Sequence, residues 1–228
     1  MTTGVRVPQG LMPGLEKIVK FYPQGDTNCQ LYLPLYDHDL RGAEAIVSKD
    51  QNLHVCTVTG ALWTPLGRTF DGDDKIDIGN PDALMNLTAK SVLVWYKVPV
   101  QAATKYLIYD GYLTTPFGSF YRTANQTSDW ITYFKNSAGD TISLSLPFTA
   151  DTWEMQGYSW DGTTITFIKN GEYYYKSAFS GTLACTGEAN TFGKALTGVI
   201  GEIQEYNRGI SVPAETKQIY NATKWRYQ

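Results

Sequence analysis

A chain of 228 residues, 43% hydrophobic and 18% charged, is long enough to bury a sizeable core as one large all-β domain or two small ones. Its net charge of -3 argues against a nucleic-acid partner, whose binding surface is normally basic. No apolar run approaches the roughly 20 residues of a membrane helix, so no membrane span is expected.

Residues 1–30 are punctuated by Pro8, Pro13 and Pro23 and by Gly4, Gly10, Gly14 and Gly25. They lack the continuous apolar core and small-residue cleavage site of an export signal. We expect an N-terminal arm over 1–30 that ties the chain to itself or to a larger assembly, and a sandwich domain over 31–228.

From Leu31 the chain turns to short β segments. LYLPLY (31–36) reads as an edge strand or a strand start because of its proline. KIDIG (75–79) alternates, and SVLVWYKV (91–98) is a long β-rich run ended by Pro99. KYLIYDG (105–111), SFYRTA (119–124), DWITYFK (129–135) and TISLSL (141–146) follow. In TISLSL, Ile142, Leu144 and Leu146 share one face and Ser143 and Ser145 the other, which suits a strand with one wet side.

The run SWDGTTITFIKNGEYYY (159–175) holds two turn signals, Asp161-Gly162 and Asn170-Gly171, the residue pairs favoured in type I′ hairpins. It predicts a three-strand antiparallel meander. NTFGK (190–194) and GVIGEIQEYN (198–207) add two strands, and Ser211 and Pro213 announce a short terminal helix as N-cap and first-turn residue. Strands spaced by about 10 to 12 residues with turn chemistry between them indicate an all-β sandwich or barrel.

Five stretches in order carry a resemblance to the concanavalin A-like jelly roll in its laminin-G-like version. They are LYLPLYDHDLRG (31–42), KDQNLHVCTVTGALW (49–63), GRTFDGDDKIDIG (67–79), the run from Trp153 to Gly171, and GVIGEIQEYNRGIS (198–211). The first looks like the opening strand and the second like the loop after it. The resemblance implies an antiparallel two-sheet jelly-roll sandwich of about six or seven strands per sheet with a short C-terminal helix. This fold carries enzymes, lectins and passive spacers alike, so it leaves function to the site.

A polysaccharide-cleaving enzyme of this fold needs two carboxylates facing one cleft. Glu202 and Glu205 are the nearest pair, but three residues apart on a regular strand they point to opposite faces. His38 and His54 stand in early loops without a nucleophile motif, so no catalytic residue is expected. The densest acidic cluster is Asp71, Asp73 and Asp74, with Asp77 beyond. Solvated turn aspartates are one reading of it, and hard oxygens for Ca²⁺ are the other. Calcium-binding relatives in the resembled family often carry an aspartate before the glutamate of the closing strand, where this chain has Gly201.

Cys29, Cys56 and Cys185 match no zinc or redox spacing. Packed, reduced thiols are expected, with one disulfide and a free thiol left open.

Sixteen tyrosines and six tryptophans are ample for sugar stacking or protein contacts. Trp95 and Trp153 are expected in the packed interior. Tyr109, Tyr112, Phe117, Tyr121, Trp130 and Tyr174 are the candidates for contact with a glycan or a protein surface. The expected function is a non-catalytic binding or structural module, displayed on a viral or phage-like particle and adhering to glycans. A free-standing lectin-like domain is the alternative, ahead of an enzyme.

Overall fold

The computed structural model describes residues 23–84, 87–101, 105–110, 118–123, 129–136, 140–182 and 190–228. Residues 1–22 of the expected arm, and Cys185, lie outside these. Among the described residues the first strands are β1 (Cys29–Pro34), β2 (Ala45–Val47), β3 (Val55–Thr59) and β4 (Leu62–Thr64). Then come β5 (Gly67–Asp71), β6 (Lys75–Gly79), β7 (Lys90–Lys97) and β8 (Tyr106–Asp110). β9 (Gly118–Thr123), β10 (Asp129–Lys135), β11 (Thr141–Pro147) and β12 (Glu154–Trp160) follow. β13 (Thr164–Lys169), β14 (Glu172–Ala178), β15 (Asn190–Phe192) and β16 (Thr197–Tyr206) precede the helix α1 (Ala214–Thr223).

These strands form two eight-stranded antiparallel sheets. The first runs β14-β13-β12-β7-β16-β5-β4, with β1 beside the C-terminal half of β16. The second runs β11-β10-β9-β8-β15-β6-β3-β2. The all-β sandwich stands, but its sheets are larger than expected. The stretch 49–63, expected as a loop, folds into β3 and β4. Pairing also starts at Cys29, two residues before the expected domain start, and the Asn207 amide donates to the Asn28 carbonyl at 3.0 Å.

Alternation decides the core. Leu31, Val92, Val94, Tyr158, Phe167 and Ile203 face inward from the first sheet against Ile76, Ile108, Trp130, Phe134 and Leu146 of the second. Full burial of each such side chain contributes about 1.5–3 kcal/mol. In β11, Ile142, Leu144 and Leu146 do turn toward the core while Ser143 and Ser145 are exposed.

β7 and β12 are buried almost throughout because the outer face of their sheet is covered too. Leu93, Trp95, Met155, Ile168 and Tyr206 pack there under Ile219 of α1 and Tyr227 of the tail. Trp95 stacks on Tyr220 at 5.4 Å and on Tyr227 at 4.6 Å, and its indole donates to the Thr223 hydroxyl at 2.9 Å. Tyr227 also explains Gly201: a Cβ at that position would lie 2.5 Å from the Tyr227 ring. No helix among the described residues is long and apolar enough to cross a membrane.

The meander forms as β12-β13-β14, though its two turns differ. Asn170 and Gly171 both have positive φ, 51° and 82°, as a type I′ turn requires. Asp161-Gly162 instead begins a three-residue connection in which the Asp161 carboxylate accepts from the Thr163 and Thr164 amides at 2.9 and 2.7 Å. Ser211 is not the N-cap of α1. Pro213 holds that position, and the Ser211 carbonyl accepts the Glu215 and Thr216 amides while Glu215 reaches back to the Ser211 amide.

Cys29 and Cys56 are buried free thiols, and burial pushes the Cys56 thiol up to about 12.

Candidate functional site: a hydroxyl-floored groove beside β14

On the outer face of the first sheet, beyond the reach of α1, lies a groove of about 400 Å³. Ser159 of β12 and Thr164 and Thr166 of β13 form its floor, with Asp161 at one end. Tyr173 and Lys176 of β14 stand on one side, and the strap from Gly209 to Pro213 forms the other.

The strap is held to the sheet by two serines. The Ser159 hydroxyl donates to the Ile210 carbonyl and accepts the Ile210 amide, each at 2.8 Å. Ser91 donates to the Arg208 carbonyl at 2.7 Å. Arg208 in turn bridges Glu215 at 2.9 Å and Asp26 at 2.8 Å, joining the strap to the helix and to the start of the described chain.

A β-bulge sets the other wall. Tyr173 pairs with Ile168 and Tyr175 with Phe167, leaving Tyr174 as an extra residue. Tyr173 and Lys176 are three apart, so a regular strand would send them to opposite faces. The bulge changes that parity and turns both toward the groove, since Lys176 pairs with Thr166. β14 is also the edge of its sheet, which leaves Tyr173, Tyr174 and Tyr175 at 54%, 41% and 39% exposure.

Asp161 is the carboxylate of the groove. Partial burial raises its pKa, but hydrogen bonds from Thr163 and Thr164 to one oxygen and the nearby Lys176 charge outweigh this and hold it below its ordinary value. The groove therefore combines an acceptor-only group, a donor-only ammonium, two threonine hydroxyls and an exposed aromatic ring. That set suits a polyhydroxylated ligand with an apolar face.

Neither Trp130 nor Tyr174, the sequence-derived contact candidates whose side chains are described, lines this groove. Trp130 is a correction: it is completely buried, 5.5 Å from Tyr96 and 5.1 Å from Phe148, and so is not a surface residue. Tyr174 is exposed beside the groove but does not line it. The backbone of Tyr109 pairs with Phe120 and Thr191, and that of Tyr121 with Ile108 and Thr132. Tyr112 and Phe117 lie outside the described residues. Tyr173, Lys176 and the strap were missed as a site because they converge only through the tertiary fold.

Asp71, Asp73 and Asp74 each offer a carboxylate oxygen, and the three atoms lie within 4.8 Å of one another. Asp74 is buried, and its carboxylate accepts the Asp71 amide at 2.9 Å, closing the turn between β5 and β6. The cluster could give three of the 6 to 8 oxygens Ca²⁺ takes. Glu202 and Glu205 do face opposite sides of β16. Glu202 lies opposite Trp95 on the helix-covered face, and Glu205 opposite Val92 on the core face, where it meets Lys90 at 3.2 Å. The Glu202 carboxylate, 1% exposed, accepts from Arg226 at 3.0 Å. His54 bonds the Gln30 carbonyl at 2.8 Å, and His38 packs edge-on against Trp63.

No family model matches the chain, and no curated protein sequence matches it. Solved structures do match in fold. The binding domain of Paraclostridial Mosquitocidal Protein 1 superposes with a TM-score of 0.68 at 12% identity, over 86% of this chain and 52% of that one. The botulinum neurotoxin serotype D ligand binding domain in complex with N-acetylneuraminic acid gives 0.65 at 12%, over 86% and 51%. Domain 4 of AbnA, a GH43 extracellular arabinanase from Geobacillus stearothermophilus, in complex with arabinotriose, gives 0.62 at 16%, over 85% and 98%. The chain thus spans about half of those toxin binding domains and nearly all of the arabinanase domain. At these identities the likeness is one of fold.

Proposed function

We propose that this chain is a non-catalytic glycan-binding module and that the groove between β14 and the 209–213 strap is its contact surface. The observation that carries the reading is the groove's unspent chemistry. The Tyr173 ring stacks on no other ring, and the Thr164 and Thr166 hydroxyls make no hydrogen bond among the described residues. A sugar ring offers what these groups lack: hydroxyls for the floor and a C–H face for the tyrosine.

The non-catalytic part rests on the carboxylates. Asp161 is the single acidic residue lining the groove among the described residues, whereas glycoside hydrolysis by the usual route takes two, about 5–5.5 or 6.5–9.5 Å apart. The AbnA domain solved with arabinotriose, nearly all of which this fold covers, lends further support, as does the toxin domain solved with N-acetylneuraminic acid, about half of which it covers. Adhesion of this kind serves a free-standing lectin and a sandwich displayed on a viral or phage-like particle alike.

The test is a glycan-array screen of the protein and of Tyr173→Ala, with calcium and again with a chelator. Binding that survives the chelator and is lost in Tyr173→Ala is expected. Binding that needs calcium would move the site to Asp71, Asp73 and Asp74, and an empty array would overturn the reading.

A further inference from the structure

We infer that the groove selects sugars bearing a carboxylate, such as a sialic or uronic acid, with Lys176 receiving the carboxylate and Asp161 the hydroxyl or amide donors of the same ring. This rests on the glycan reading above and specifies its ligand.

Lys176 is the reason. Lys49, Lys75, Lys90, Lys169 and Lys217 each meet a carboxylate within ion-pair distance. Lys176, like Lys97 and Lys135, makes neither a hydrogen bond nor an ion pair with any described residue, although its charge acts on Asp161 nearby; of these three it alone lines the groove. Among the described residues it is the one cationic side chain lining the groove, and it shares that face with Tyr173, three positions away, because of the extra residue at Tyr174. A lysine ammonium has three donors and no acceptor, so its strongest complement is an anionic oxygen.

Asp161 sets the orientation rather than cancelling the preference. One of its oxygens is saturated by the Thr163 amide, the Thr163 hydroxyl and the Thr164 amide. The other makes no hydrogen bond with the described residues and, being an acceptor only, suits a hydroxyl or N-acetyl N–H. A neutral sugar satisfies Asp161 and the threonines but gives Lys176 only a hydroxyl. An acidic sugar satisfies both groups, with the Tyr173 ring next to Lys176 on the side away from Asp161.

The experiment is calorimetric titration with a sialylated trisaccharide, a uronic-acid oligosaccharide and a neutral trisaccharide, using the full chain and Lys176→Met. Melting temperature serves as the fold control. Binding of an acidic sugar in preference to the neutral one, weakened about tenfold in Lys176→Met and weakened by salt, is expected. Preference for the sialylated or for the uronic ligand identifies the source of the carboxylate and supports the inference either way. Equal binding of neutral and acidic sugars, unmoved by Lys176→Met, overturns the inference and leaves glycan binding standing. Failure of every sugar to bind overturns both.

Discussion

The Ser159 hydroxyl and the Ile210 backbone hold each other twice, once through the carbonyl and once through the amide, each at 2.8 Å. This reciprocal pair fastens the strap that walls the groove to the strand that floors it. Ser159→Ala leaves a buried amide and carbonyl short of a partner, which costs about 1–3 kcal/mol. Ser91, at 3.1 Å from the same amide, retains part of the hold. We expect Ser159→Ala to fold with a lower melting temperature and to bind glycan more weakly. The paired Ser91→Ala and Ser159→Ala variant should lose more than either alone. Equal glycan affinity in the double variant would mean that the strap is not part of the site.

Arg208 is the second fastening, and it predicts a pH dependence. Burial raises the Asp26 carboxyl, but the Arg208 guanidinium and Asn28 outweigh it and hold the group below its ordinary value. A carboxylate with a depressed folded pKa stabilises the fold above its unfolded pKa, and that stability is lost as pH falls through the folded pKa. Arg208→Met should therefore destabilise the protein near neutrality and much less in acid. Denaturant titrations at a series of pH values check this, and a stability difference that stays constant into acid would refute it.

Glu202 runs the other way. Burial raises its pKa, and Arg226 and Gln204 only partly oppose this. A carboxyl whose folded pKa lies above the unfolded one binds more protons when folded, so stability falls as pH rises from its ordinary 4.5 through the raised value. Glu202→Gln removes that titration while keeping an acceptor for Arg226. Relative to the unsubstituted chain, Glu202→Gln should lose stability in strong acid and gain relative to it as pH rises. A pH-independent difference would show that Arg226 offsets the burial cost completely.

Much of the fold was legible because strand alternation and turn chemistry are local. DWITYFK and TITFIK are strands at the expected bounds, and Asn170-Gly171 makes the expected turn. β3 escaped notice because VCTVT stands between Asn52-Leu53-His54 and Gly60, in a run that reads as loop until it pairs with β6. Trp130 and Tyr133 are three apart and so point to opposite faces of a strand, but only the pairing of Trp130 with Leu146 tells which face is the core. The site was the least legible part. Strand parity separates Tyr173 from Lys176, and nothing local announces the extra residue that reunites them.

That extra residue gives the most discriminating variant. Deleting Tyr174 should restore regular pairing between β13 and β14 and leave Tyr173 and Lys176 two residues apart, still on the groove face. β14 is an exposed edge strand, so the sandwich should tolerate the deletion with little loss of melting temperature, and glycan binding should persist. Tyr174→Ala keeps the residue count and should keep both the bulge and the binding. Loss of binding in both variants would make the contact surface the row of edge tyrosines. Binding retained in both, and lost in Tyr173→Ala, would place recognition in the groove, where a tyrosine and a lysine share one face.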